Sequence, residues 1–197
     1  MNRRTFLKNL TASLTTFGLL SCQNKTERRP NILFIVTDDQ GPWTLSAEGY
    51  PNTHTPEIDK IAAQGAILKN AFAVGAVCSP SRAALISSRY PSELGINDFI
   101  SPSTPVGLNP AITTWPEVLQ SSGYKTILVG KWHLGEHKAE YHPTNHGYDH
   151  FSGFLHGGMT SKDPRVEVEG ELKTFENEYT PDVLTDLAMK YIEENKV

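Results

Sequence analysis

Cys78-Ser79-Pro80-Ser81-Arg82 sets a thiol at the start of a helix, with an arginine one turn further on. Ser79 reads as the N-cap and Pro80 as the first helical residue, where a missing N–H costs nothing. Ala83 to Ile86 then continue as good helix formers. A side chain at such a helix start faces unpaired N–H groups and the positive end of the helix dipole. The position suits an anion or a thiolate. On these five residues alone a buried structural cysteine is the competing reading.

Two further groups could do chemistry. Asp38 and Asp39 are adjacent carboxylates, and a hard cation such as Ca²⁺ or Mg²⁺ between them would relieve their repulsion. Alone, the pair equally fits a solvated acidic turn. Lys131 and His133 could bind an anionic group, the histidine also acting as an acid; alone, they fit a surface loop. Six of the seven histidines fall between His133 and His156. A zinc cluster is disfavoured there, because the stretch lacks thiolates and a clean i, i+4 histidine pair. His142 and His146 are expected to shape a substrate pocket, and Trp132 to pack.

The elements that must position these groups alternate. Asn31–Thr37 is an apolar, β-branched run that reads as a strand buried on both faces, ending at Asp38. Thr55-Pro56-Glu57 opens a helix with Ile58, Ile61 and Ala62 as its apolar face, closed by Gly65. The helix from Pro80 follows. Residues 91–113 read as loop, Pro116–Ser122 as a short helix and Lys125–Val129 as a second buried strand. Residues 136–160 read as irregular. Arg165–Phe175 reads as a hairpin turning at Glu169-Gly170. A last helix after Thr180 carries Val183, Leu184, Leu187, Ala188, Tyr191 and Ile192 on one face. This alternation predicts an α/β fold with a largely parallel sheet flanked by helices. Ligands of such sheets sit beyond the carboxyl ends of the strands, where Asp38-Asp39 and Lys131–His133 both fall.

The 197 residues suffice for one domain with a core. A net charge of −4 argues against a nucleic-acid partner. Residues 1–22 read as an export signal. Arg3-Arg4-Thr5-Phe6-Leu7-Lys8 looks like a twin-arginine signal, and Leu19-Leu20-Ser21-Cys22 resembles a bacterial lipobox. The expected location is the bacterial periplasm or cell surface, with membrane contact only through a lipid on Cys22. A plain cleaved secretory signal is the alternative. Residues 23–29 form a polar linker. With Cys22 assigned to the signal, Cys78 has no intrachain partner.

Taken together these segments resemble the formylglycine-dependent (type I) sulfatases of the alkaline-phosphatase-like superfamily. Pro30–Gly41 looks like that family's opening strand and metal loop, and Thr55–Asp59 like its first helix. Cys78–Arg82 matches its modification motif and Gly130–Gly135 its second signature. His146-Gly147-Tyr148-Asp149 with Phe151 resembles a common downstream segment.

The resemblance implies that a formylglycine-generating enzyme converts Cys78 to an aldehyde, whose hydrate attacks the sulfur of a sulfate ester. It also implies roles for other residues. Asp38 and Asp39 would hold a divalent cation, Ca²⁺ being expected, with modified Cys78 completing the inner shell. Arg82 would position the diol, and Lys131 and His133 would bind the sulfate. The substrate could be an aryl sulfate or a sulfated carbohydrate. A phosphoester or phosphonate monoester hydrolase of the same superfamily, and an inactive lipoprotein fragment, are the alternatives. In the family a core strand follows the last helix, and then come a histidine, an Asp-Asn pair and a lysine. Residues 30–197 are accordingly expected to be the N-terminal part of the catalytic domain. On that expectation the chain alone binds metal weakly and turns over little ester.

Overall fold

Thr114-Trp115-Pro116-Glu117 shows how local chemistry starts a helix here. The Thr114 side chain accepts the Glu117 N–H, the Glu117 carboxylate accepts the Thr114 N–H at 2.6 Å, and proline sits in the first turn. The computed structural model describes residues 29–196. The export signal and Cys22 therefore lie outside the described residues. Among the described residues no helix is long and apolar enough to cross a membrane. The chain divides into two units, Met1–Gln40 and Gly41–Val197.

The described part of the first unit corrects one expectation. Asn31–Thr37 forms no strand, and Ile32, Leu33, Phe34, Ile35 and Val36 are all exposed. A strand is defined by its ladder to a neighbour, and the sheet among the described residues does not include this run. Apolar, β-branched composition supplies the propensity but not the partner.

In the second unit the helices are α1 (Pro56–Gln64), α2 (Cys78–Ser87), α3 (Pro91–Leu94), α4 (Trp115–Ser121) and α5 (Thr180–Asn195). The strands are β1 (Ile127–Lys131), β2 (His150–Phe154), β3 (Arg165–Val168) and β4 (Glu171–Thr174), ordered β1-β2-β3-β4 in one sheet. The fold is α/β as expected, and within the described residues the sheet is mixed. β1 and β2 pair in parallel from Ile127–His150 to Lys131–Phe154, while β2–β3 and β3–β4 are antiparallel. β2 falls in the stretch read as irregular. Its sequence, His150-Phe151-Ser152-Gly153-Phe154, has no clean alternation. Its backbone is placed by β1, and a Cβ on Gly153 would lie 1.9 Å from the Gly130 carbonyl oxygen. The β3–β4 turn uses Glu169 and Gly170, both at positive φ, as a two-residue hairpin requires.

The core gathers under the chemistry-bearing segments. Ala83 and Ile86 of α2 pack with Ile96, Ile100 and Leu108, and with Trp132, Leu134 and Tyr148. Three of these come from residues 91–113, so that loop is core material as well as connection. By contrast the apolar face of α1 is uncovered, with Ile58 and Ile61 both exposed. α5 seats Val183 and Tyr191, while Ile192 stays in solvent.

Candidate functional site

Cys78 is the first residue of α2, two positions earlier than the expected start at Pro80. Val77 is the N-cap, and its carbonyl accepts the Ser81 N–H at 3.0 Å. Ser79 therefore does not cap the helix. Its hydroxyl turns inward and accepts the Ile100 N–H at 2.9 Å. A fully buried Ser79 gains more by satisfying a buried amide than by capping a helix start open to water. Cys78 is a half-buried free thiol, and its own N–H is among the donors a helix start leaves without an intrahelical partner.

Arg82 joins the two motifs. Its guanidinium donates to the Lys131 carbonyl at 2.7 Å, so the Cys78 helix is tied to the carboxyl end of β1. Beyond Lys131 the ladder continues: Trp132 N–H donates to Phe154 O and His133 N–H to Leu155 O, both at 3.0 Å. Trp132 is buried and its Nε1–H donates to Tyr141 O at 2.8 Å, a packing role as expected. His133 is 3 % exposed and sits at φ 57°, with Nε2 at 2.9 Å from Ile100 O. The structure thus brings Cys78, Arg82, Lys131 and His133 onto two segments linked by hydrogen bonds.

Asp38 and Asp39 belong to the first unit. Asp39 holds φ 56°, in the left-handed region that non-glycine residues occupy at some cost. Two carboxylates offer oxygen donors only, a set that suits a hard cation. Among the described residues no group of three or more His, Cys, Asp or Glu side chains converges as a metal site. The carboxylate pair fits such a cation chemically, without a complete ligand shell formed around it.

Of the two histidines expected to shape a pocket, one departs from expectation. His146 does not shape a pocket. It is fully buried against Trp132, with ring centroids 5.4 Å apart, and neither ring nitrogen meets a hydrogen-bond partner. Burial holds its pKa below the ordinary histidine value, although Glu117 and the Glu140 backbone pull the other way. His142 lines a cavity of about 250 Å³ with Thr144, Phe151, Glu167, Glu169 and Gly170. Its Nε2 lies 2.9 Å from Glu167, so it fastens the β3–β4 hairpin. Ser79, Ile100 and Gly157 carry structural weight at the site that the sequence reading did not assign. Ser79 was visible inside the motif, whereas the other two carry no local signal.

Comparison with known proteins decides the family. The sulfatase family model matches residues 30–196. The chain belongs to the sulfatase family. Human N-acetylgalactosamine-6-sulfatase is 37% identical over 132 residues, covering 63% of this chain and 25% of that protein. N-acetylglucosamine-6-O-sulfatase of Bacteroides thetaiotaomicron is 33% identical over 185 residues, covering 91% of this chain and 31% of that protein. The structure of BT4656 in complex with its substrate D-glucosamine-2-N,6-O-disulfate superposes with a TM-score of 0.70. It is 34% identical, with 86% of this chain and 32% of that one covered. This sulfatase chain thus spans about a quarter to a third of the length of these relatives, and shares their alkaline-phosphatase-like α/β fold.

Proposed function

We propose that this chain carries the nucleophile-bearing part of an exported sulfatase that hydrolyses sulfate esters of carbohydrates. The observation that carries the reading is the Arg82 hydrogen bond to the Lys131 carbonyl, which docks the Cys78 helix on the segment bearing Lys131 and His133. The names of relatives support the substrate class: two concern 6-sulfated N-acetylhexosamines, and one structure holds a glucosamine disulfate.

A formylglycine at position 78, hydrated to a diol, would supply the attacking oxygen; Asp38 and Asp39 would hold a divalent cation, which supplies the charge that favours a deprotonated diol. The chain's own residues do the rest. The α2 start presents unpaired N–H groups beside position 78, and these favour negative charge there. Arg82 adds a permanent positive charge one turn along and braces the helix against β1. Lys131 supplies a mobile cation for sulfate oxygens as charge builds on them. His133, fixed at β1's end, would bind the sulfate and assist proton transfer. The anchor on Cys22 would hold the protein at the cell surface.

The protein purified from its native host tests this on 6-O-sulfated N-acetylglucosamine and N-acetylgalactosamine, and on the matching phosphate esters. Sulfate release at least about tenfold faster than phosphate release is expected. Lys131→Ala should lower kcat by about 10²–10³, the cost of removing one stabilising donor. Faster phosphate release would favour the phosphoester reading. No turnover, with an unmodified Cys78, would favour a non-catalytic scaffold.

A further inference from the structure

One residue, Ile100, makes a buried backbone hydrogen bond to each of the two sulfatase motifs. The Ile100 N–H donates to Ser79 Oγ, and the Ile100 carbonyl lies against His133 Nε2, each at 2.9 Å. Ser79, Ile100 and His133 are all at least 95 % buried, so neither bond competes freely with water. A carbonyl can only accept, so the ring nitrogen facing it must carry the proton. In the neutral ring the lone pair then falls on Nδ1.

The ring has little room to turn. His133 is held by its N–H bond to Leu155 O and by its left-handed backbone. Gly157 lies under the imidazole: a Cβ there would sit 2.7 Å from Cε1 and 3.0 Å from Nε2. Flipping the ring would put a C–H against the Ile100 carbonyl and forfeit a buried bond, at about 1–3 kcal/mol.

We infer that Ser79 and Ile100 are positioning residues that lock His133 in the Nε2–H tautomer, with Nδ1 as the proton-accepting nitrogen. Ser79 directly follows Cys78, so the residue that carries the nucleophile and the histidine that moves the proton are registered through the backbone of a single residue, Ile100. The catalytic consequence rests on the sulfatase reading; the tautomer is a property of the folded chain and is measured without turnover.

Long-range ¹H–¹⁵N correlation on ¹⁵N,¹³C-labelled chain, at a pH about 1.5 units above the ordinary histidine value, reads the tautomer directly. Wild type should show a protonated Nε2 and an unprotonated Nδ1, with coupling across the hydrogen bond from Nε2 to the Ile100 carbonyl carbon. Ser79→Ala should convert this single tautomer into a mixture and speed exchange of the Ile100 amide. A protonated Nδ1, or a tautomer mixture in wild type, overturns the inference. An unchanged tautomer in a folded Ser79→Ala variant removes Ser79 from it. If that variant does not fold, slow exchange of the wild-type Ile100 amide is still required, and rapid exchange refutes the Ser79 bond. Loss of sulfate release with the tautomer intact would count against the sulfatase reading alone.

Discussion

At the scale of single residues, burial decides what each histidine can do. His146 sits neutral beneath Trp132, and its folded pKa is lowered from 6.5. Below about pH 6.5 the unfolded chain binds a proton at this position that the folded chain refuses. More protons on the unfolded state means that stability falls as pH falls, by up to about 1.4 kcal/mol per pH unit. Thermal unfolding measured between about pH 7.5 and 5 should show this slope, and His146→Phe should flatten it while keeping the ring contact with Trp132. An undiminished slope in His146→Phe would place the linkage elsewhere. Of the six non-glycine residues with positive φ among the described residues, Asp39 and His133 are two that fall in the motifs.

At the scale of elements, what was legible in the sequence is what is local. The helix expected over Pro116–Ser122 forms as Trp115–Ser121, and the turn at Glu169-Gly170 forms where expected; each carries its signal within a few residues. β2 was not legible, because a strand closed against Gly130 is specified by its partner rather than by its own alternation. The candidate site was legible through the family resemblance, because Cys78, Arg82, Lys131 and His133 fall within its motifs; taken alone each also fits a structural reading. Its wiring was not, because Ile100 reaches His133 across 33 residues of sequence through backbone atoms that any residue possesses. The same reasoning yields a prediction for the sheet. Gly153→Ala drives a methyl into the Gly130 carbonyl at a point where two backbones touch. It should destabilise the second unit by about 3 kcal/mol, the upper end of overpacking costs, seen as a lowered denaturant midpoint. An unchanged midpoint would mean that β1 and β2 are further apart than described.

For the whole molecule, the distribution of apolar surface matters most. Ile61, Leu68 and Phe72 of the second unit are each at least 65 % exposed. Phe72, Val74, Leu85 and Tyr90 also line an open cavity of about 380 Å³ beside α2. Such a surface predicts that the purified 197-residue chain binds an apolar fluorescent dye and self-associates, as light scattering would show; a dye-silent monomer would contradict this. The account of function stands or falls on position 78. Trypsin cuts after Lys69 and Arg82, releasing the peptide that spans Asn70 to Arg82. Mass spectrometry of that peptide from the native host should find Cys78 lighter by the change from CH₂SH to CHO, with the aldehyde trapped by a hydrazide reagent. A peptide carrying only the intact thiol would contradict the central claim that this cysteine is the source of a sulfatase nucleophile.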